Sequence, residues 1–312
     1  MHRLLTAMAA VLTLGAVQPC FGGIALYGGL GGHAISAGPV ASANDGSLVT
    51  IDQTAGTTTL VGHPDSVARL TGIAFDQAGD LFGSTLGSIP FPPPPSMTTS
   101  TLIRIDPATG AELASIGPIT AGVGGPAISI ADLAIQPGTN TLFGIRGPTD
   151  GLNGSGLLYT IDKSTGVATL VGDTEHFFGS IAFATNGTLY DASADSPPGG
   201  GPAINPALRT INPATAQVLT TVSTTDFFGA LAVRPTDGVI FAGTGDQAQL
   251  FTLNPATGAQ TALSGTTGLD FVGDMDFVQT TTAIPVPPAA WMALATLPLA
   301  GAFLWRSRSQ RT

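Results

Sequence analysis

A repeated phrase decides the fold of this chain, and its clearest copy reads Leu157-Leu158-Tyr159-Thr160-Ile161-Asp162-Lys163-Ser164-Thr165-Gly166-Val167-Ala168-Thr169-Leu170-Val171. On both sides of the central Asp-Lys-Ser-Thr-Gly, the residues follow the alternating pattern of β-strands. The Asp162 side chain can bond the turn backbone, and Gly166 can adopt a left-handed conformation. The phrase therefore predicts a β-hairpin.

This hairpin phrase occurs five times along the chain. Its turns follow Ile51, Ile105, Ile161, Ile211 and Leu253, which are 54, 56, 50 and 42 residues apart. A period of this length is typical of propellers, solenoids and arrays, which stack one supersecondary unit many times.

A second phrase, strand–polar turn–strand, follows each hairpin. Its complete copies are Ile73–Gly83, Leu133–Gly144, Ile181–Tyr190 and Leu231–Gly243. The fifth copy, Met275-Asp276-Phe277, has no partner strand after it. That missing strand stands at the other end of the chain, as Ile24-Ala25-Leu26-Tyr27-Gly28. Pairing of the two would close a ring and remove its exposed edge.

These patterns predict an all-β fold, a β-propeller of five four-stranded blades spanning residues 24–278. Six blades remain an alternative, because Ser88–Thr101 and Pro197–Pro206 are long insertions. The blade pattern Gly-Ile-Ala-Phe, Gly-x-Leu-Tyr-Gly and Leu-x-x-Ile-Asp-x-x-Thr-Gly resembles YVTN/NHL-type propeller repeats. This resemblance implies the fold but no particular activity, since propellers host many functions.

Acidic residues interrupt the small-residue positions of the innermost strands. Asp132, Asp274 and Asp276 stand where other repeats carry small residues, and His176, Asp226 and Asp270 come just before such strands. These residues are expected near the central channel, where carboxylates could bind Ca²⁺, a cation that takes six to eight oxygen ligands. The alternative is that they are solvated or cap turns.

The charge balance excludes one class of partner. All 20 acidic residues but only six basic ones lie between residues 24 and 283, which gives this region a formal charge of −14. Such a surface is unsuited to binding the phosphates of nucleic acids. The sequence therefore predicts no nucleic-acid partner.

Known catalytic motifs are missing from the sequence. It has no Gly-x-Ser-x-Gly elbow, phosphate loop or His-Glu-x-x-His. The lone Cys20 rules out an intramolecular disulfide and any site built from several cysteines. We therefore expect a non-enzymatic binding or structural module. The alternative is a secreted Ca²⁺-dependent hydrolase, lactonase-like or phosphoesterase-like, that uses the channel carboxylates.

The N-terminus predicts export. A short basic start, Met1-His2-Arg3, precedes the apolar stretch Leu4–Val17, which is too short to span a membrane comfortably. Residues 1–23 are thus expected to form a signal peptide.

The C-terminus predicts a membrane anchor. Residues 289–305 carry no charge, and as a helix they would cover about 26 Å, close to the hydrocarbon thickness of a bilayer. Trp291 and Trp305 stand at the two ends, where such rings prefer the headgroups. Arg306, Arg308 and Arg311 follow and favour a cytoplasmic C-terminus.

The same end resembles the PEP-CTERM sorting signal in its VPLPA-type variant. The matching residues are Ile284, Pro285, Val286, Pro287, Ala289, Ala290 and Trp291, followed by the apolar run and the arginines, whereas Pro288 replaces the usual Ala. The resemblance implies that residues 284–312, after a linker at 279–283, are processed by an exosortase-type enzyme in a Gram-negative bacterium that makes exopolysaccharide.

Together, the two ends predict a route. A precursor anchored in the inner membrane by its C-terminal helix would hold the propeller in the periplasm. The mature protein would then reach the cell surface or extracellular matrix, where exopolysaccharide, biofilm material or surface proteins are its expected partners.

Overall fold

The computed structural model describes residues 24–31, 44–65, 69–86, 99–146, 156–195, 204–244, 248–268 and 272–278. The regular elements within these ranges are all β-strands, in five sheets. No helix in this part of the chain is long and apolar enough to cross a membrane. The predicted signal peptide (1–23) and sorting signal (284–312) lie outside the described residues.

The strands are numbered in chain order, and each sheet forms one blade, whose strands follow one another from the innermost outward. Blade one contains β21 (Val272–Phe277), β1 (Leu26–Leu30), β2 (Leu48–Ile51) and β3 (Thr58–Gly62). Blade two contains β4 (Arg69–Phe75), β5 (Leu81–Leu86), β6 (Thr101–Ile105) and β7 (Glu112–Pro118). Blade three contains β9 (Ile130–Gln136), β10 (Thr141–Arg146), β11 (Leu157–Ile161) and β12 (Val167–Asp173), with β8 (Thr120–Ala121) added parallel to β12. Blade four contains β13 (Phe177–Phe183), β14 (Leu189–Asp195), β15 (Ile204–Ile211) and β16 (Val218–Ser223). Blade five contains β17 (Phe228–Val233), β18 (Ile240–Thr244), β19 (Leu250–Leu253) and β20 (Gln260–Ala262).

The blades form a closed ring, as predicted. The innermost strands contact one another in the order β21, β4, β9, β13, β17 and back to β21. Blade one combines the two ends of the described chain, with Leu26 opposite Phe277 and Gly28 opposite Met275. The described residues form five sheets. The insertions Ser88–Thr101 and Pro197–Pro206 each end within a strand of one of these sheets, since β6 starts at Thr101 and β15 at Ile204. The short β8 was not predicted.

The repeated turns adopt the predicted conformation. The side-chain Oδ1 at the first turn position accepts a hydrogen bond from the backbone N–H two residues later in all five copies, at 2.8–2.9 Å. The last turn position is left-handed in each copy, at Gly56, Gly110, Gly166, Ala216 and Gly258. The end of the ring that carries these turns is called the turn face, and the end where the innermost strands begin is called the start face.

These turns also hold neighbouring blades together. The turn that ends at Gly110 in blade two lies against Gly62, the last residue of the outermost strand of blade one. Equivalent contacts join Gly166 to Pro118, Ala216 to Gly172, Gly258 to Ser223 and Gly56 to Leu263. One sequence phrase thus forms the hairpin within a blade and the contact between blades.

Replacing Gly110 by alanine is therefore expected to destabilise the fold by about 3 kcal/mol or more. Its φ is +71°, and an added Cβ would stand 2.6 Å from the Gly62 backbone. Gly79→Ala is a matched control, because Gly79 is also left-handed (φ +86°) but has no neighbour within 4 Å of an added Cβ. It should cost only about 1 kcal/mol. Urea denaturation measures both values, and equal losses would contradict the inter-blade contact.

The two faces of each innermost strand differ in size, as predicted. In β4, the large residues Ile73 and Phe75 pack with Leu48 and Tyr27 of blade one. The small Ala74 packs instead in the cluster shared with blade three. Because the residues near the axis are small, the five innermost strands can approach one another closely. Their close approach leaves little room in the centre of the ring.

Candidate functional site

The carboxylates on the innermost strands bond to the backbone of neighbouring blades. Asp276 accepts a hydrogen bond from the Phe75 N–H at 2.7 Å, and Asp274 accepts one from the Ile73 N–H, so both join blade one to blade two. Asp132 accepts bonds from Ile181 N–H at 2.7 Å and the Ser180 hydroxyl at 2.6 Å, which joins blade three to blade four. These carboxylates therefore connect neighbouring blades at the inside of the ring.

Asp132 and Asp274 also meet each other near the axis. Both side chains are fully buried, and they lie close enough for the charge of Asp132 to act on Asp274. Gly72 of β4 occupies the equivalent position on the blade between them. Two buried carboxyl groups this close together resist ionising at the same time, because each charge disfavours the other.

Burial dominates the electrostatics of this group. It raises the pKa of Asp132 and of Asp276 to about 7. The pKa of Asp274 is raised well above its ordinary value, first by burial and then by the charge of Asp132. Such buried carboxyls prefer to be neutral.

The turn-face end of the axis offers almost no space. A cavity of about 20 Å³ lies there, lined in part by Ala134, Ala182, Val233 and Asp276. This is about the room that one water needs.

Within the described residues, no group of three or more histidine, cysteine, aspartate or glutamate side chains is arranged to hold a metal ion. Of the residues expected beside the channel, His176 bonds to Asp195 and Asp226 bonds to Gln260, each within its own blade. Asp270 lies outside the described residues. The Ca²⁺ site of Asp132, Asp274 and Asp276 stays a prediction.

A different site emerges where blade four departs from the repeat. In the other blades, the third residue pair between the two middle strands, counted from the turn-face end, combines a glycine or alanine with a large apolar residue. Blade four has Asp191 opposite Arg209 at this position. The pairs of the other blades are Gly28/Val49, Gly83/Ile103, Gly144/Tyr159 and Ala242/Phe251.

This charged pair is buried within the propeller. Asp191 is 0% exposed and Arg209 is 3% exposed. Burial raises the pKa of Asp191 to about 7, although the Ser193 hydroxyl bond and the charge of Arg209 act in the opposite direction. Burial also lowers the pKa of Arg209. Because an apolar pair of similar volume is often at least as stable as two buried charged side chains, stability alone does not explain these residues.

A chain of hydrogen bonds runs from this pair to the start face. The Ser193 hydroxyl donates to Asp191, and Arg209 donates to the Ser193 hydroxyl and carbonyl oxygens at 2.7 and 2.8 Å. Arg209 Nη2 is 3.5 Å from Asp195 Oδ1, which also lies 3.0 Å from His176 Nδ1. Asn205 donates to the other Asp195 oxygen at 2.9 Å, and this bond contributes most to lowering the Asp195 pKa. We call His176, Asp191, Ser193, Asp195, Asn205 and Arg209 the blade-four cluster.

The backbone around the cluster is strained. Glu175, next to His176, has φ +63°, and Asn205 has φ +52°. Left-handed non-glycine residues cost free energy and are enriched at binding and active sites. Three buried polar atoms nearby, Asp191 Oδ1, Arg209 Nε and Thr174 Oγ1, have no hydrogen-bond partner among the described residues. Unsatisfied groups of this kind are rare in proteins.

Sequence reasoning singled out His176 but not the rest of the cluster. The signal was nevertheless present, because Asp191 and Arg209 occupy positions where aligned repeats have glycine or alanine and an apolar residue. Comparison of blades position by position would have found both.

Comparisons with known proteins give weak likeness only. No protein-family model and no curated protein matches the chain. Among solved structures, a nidogen/laminin complex is similar with 14% identity and a TM-score of 0.49, over 81% of this chain and 82% of that one. TolB from Acinetobacter baumannii has 13% identity and a TM-score of 0.44, over 74% of this chain but only 51% of TolB. A protein of unknown function from Bacteroides thetaiotaomicron has 11% identity and a TM-score of 0.45, over 74% of this chain and 62% of that one. The five-blade assignment rests on the strand pairing of this chain itself.

Proposed function

We propose that this chain is an exported, non-enzymatic binding module that an exosortase-type enzyme sorts to the cell surface or extracellular matrix. The observation that carries the binding role is the blade-four cluster, a polar network that departs from the repeat and reaches the surface at His176, Asp195 and Asn205. The expected partners are exopolysaccharide, biofilm material or surface proteins.

The state of the central carboxylates supports the non-enzymatic part of this proposal. A hydrolase would need carboxylates that are free to bind a cation or activate water. Asp132, Asp274 and Asp276 instead accept backbone hydrogen bonds from neighbouring blades. The Ca²⁺-dependent hydrolase remains the alternative, without a supporting feature among the described residues.

The two chain ends support the sorting part. The proline-rich motif, the apolar segment 289–305 and the final arginines resemble the PEP-CTERM signal, and residues 1–23 have the pattern of a signal peptide. The acidic propeller between them has the charge of a soluble exported domain.

Removal of the C-terminus tests the sorting proposal. In a Gram-negative host that expresses an exosortase-type enzyme, mass spectrometry of the mature protein should find no residue beyond about the Pro285–Trp291 motif. Deletion of the processing enzyme should leave the protein intact and in the inner membrane, and so should replacement of Pro285 and Pro287 by alanine. An Arg311-Thr312 end on protein recovered from the cell surface would contradict the proposal.

A further inference from the structure

The surface part of the blade-four cluster consists of three planar polar groups. The His176 ring is held through Nδ1 by Asp195, and Nε2, which bonds to none of the described residues, is the ring nitrogen that can meet a ligand. The Asp195 side chain is 39% exposed. Asn205 is exposed as well and uses its Nδ2 on Asp195, which leaves its amide oxygen available.

The rest of the cluster fixes these groups in place. Arg209 lies near Asp195 and donates to the Ser193 hydroxyl, which in turn donates to the buried Asp191. The left-handed backbone at Glu175 and Asn205 sets the direction of the residues at the opening. A site built in this way loses little conformational entropy when a ligand binds, because its side chains are already ordered.

Charge narrows the class of ligand. The guanidinium of Arg209 offsets Asp195, and the Asp191 carboxyl is buried. The exposed carboxylates of Asp173 and Glu175 lie directly before His176, so an opening of this charge, on a domain with a formal charge of −14, is a poor site for an anion. The oxygens of Asp195 already accept hydrogen bonds from Asn205 and His176, which leaves them ill suited to coordinating a divalent cation.

We infer that the blade-four cluster binds an uncharged saccharide, through hydroxyl groups that bond to His176, Asp195 and Asn205. A sugar hydroxyl both donates and accepts hydrogen bonds, and the opening offers carboxylate and amide acceptors beside an imidazole. This inference rests on the proposed binding role and specifies the ligand class for it.

Binding of trisaccharides to the full-length protein in detergent micelles tests the inference. The probes are neutral cellotriose, maltotriose and mannotriose, anionic trigalacturonate and the cationic trimer of glucosamine, titrated by calorimetry and followed by saturation-transfer NMR. At least one neutral trisaccharide should bind more tightly than either charged one.

Two variants locate the binding site. Asn205→Gly keeps the left-handed backbone (φ +52°) and removes the amide, and His176→Ala removes the ring. Each should weaken binding at least tenfold. Asn140→Gly makes the same change at another left-handed residue (φ +57°), in the turn between β9 and β10 on the opposite face, and should leave binding unchanged.

Three outcomes would overturn the inference. These are the absence of binding to every neutral trisaccharide, tighter binding of a charged one, and unchanged binding in both Asn205→Gly and His176→Ala. None of them bears on processing of the C-terminus, which is measured separately, so failure of the saccharide site is distinguishable from failure of the sorting proposal.

Discussion

The propeller is expected to lose stability as the pH rises from 5 to 8, with a fall in melting temperature of about 10 °C or more. The cause is the set of buried carboxyls inside the ring. Asp132, Asp276 and Asp191 have pKa values raised to about 7, and that of Asp274 is raised well above its ordinary value. In the unfolded chain, each of these aspartates would have a pKa of about 4.

The sign of the effect follows from proton binding. Between pH 4 and 7, the folded protein holds protons that the unfolded chain has released, so a rise in pH favours unfolding. The stability is fully present below the unfolded pKa and is lost as the pH rises through the folded pKa. Carboxylates with lowered pKa, such as Asp52 and Asp106 in the repeated turns, act in the opposite direction, but only in more acidic solution.

Asp274→Asn isolates the contribution of the carboxyl pair. The amide oxygen can still accept the Ile73 N–H, and the neutral amide no longer interacts with the charge of Asp132. It loses the bond from the Met275 N–H, which should cost about 1 kcal/mol at pH 5. At pH 8 the variant should be more stable than the wild type, because no carboxyl pair has to be ionised or kept protonated there.

Thermal melts of both proteins at half-unit steps from pH 4 to 9 measure this crossover. Asp237→Asn is the control, since Asp237 is exposed and has a lowered pKa caused first by Arg234. It should not alter the slope between pH 5 and 8. A pH dependence in Asp274→Asn as steep as that of the wild type would contradict the role of the pair.

The sequence predicted the fold because its determinants are local and repeated. The Asp-x-x-Thr-Gly turns, the alternating strands and the incomplete final repeat are all visible in one dimension, and the ring closes as they require. The strand β8 escaped prediction because Thr120-Ala121 is too short to show a pattern. Its pairing with Val167 and Ala168 depends on how two blades approach each other.

The site was less predictable for a physical reason. The bonds of Asp132 to Ile181 and of Asp274 to Ile73 join residues far apart in the chain, so no local pattern reports them. The chain of bonds from Arg209 to His176 likewise depends on register, which a bulge between Ser193 and Asp195 shifts. The residue types in the sequence predicted acidic groups near the axis. The role of these groups depends on their hydrogen-bond partners, which only the structure reveals.

Replacing Arg209 alone by phenylalanine is expected to lower the free energy of unfolding by about 3–5 kcal/mol. The change leaves Asp191 buried without its cationic partner, and its second oxygen already lacks a hydrogen bond among the described residues. Asp191→Ala should also destabilise the protein, because Arg209, 3% exposed, would keep only Ser193 and the more distant Asp195.

The double variant Asp191→Ala/Arg209→Phe should recover most of this loss. It gives blade four the same pair that blade five carries at Ala242 and Phe251, of similar total volume and without buried charge. Its stability should lie within about 1 kcal/mol of the wild type. Urea unfolding of the four proteins at one pH gives the coupling energy, which should exceed about 2 kcal/mol.

The ion pair of Arg234 and Asp237 provides the comparison. Its atoms are 2.7 Å apart, but its side chains are 27% and 47% exposed, so the same cycle should give less than about 1 kcal/mol. Additive losses at Asp191 and Arg209 would show that the two side chains do not depend on each other. Strong coupling with a stable double variant would instead mean that the propeller folds as well with an apolar pair in blade four. The role of the charged pair would then be to position Asp195 at the surface and, through Asp195, also His176.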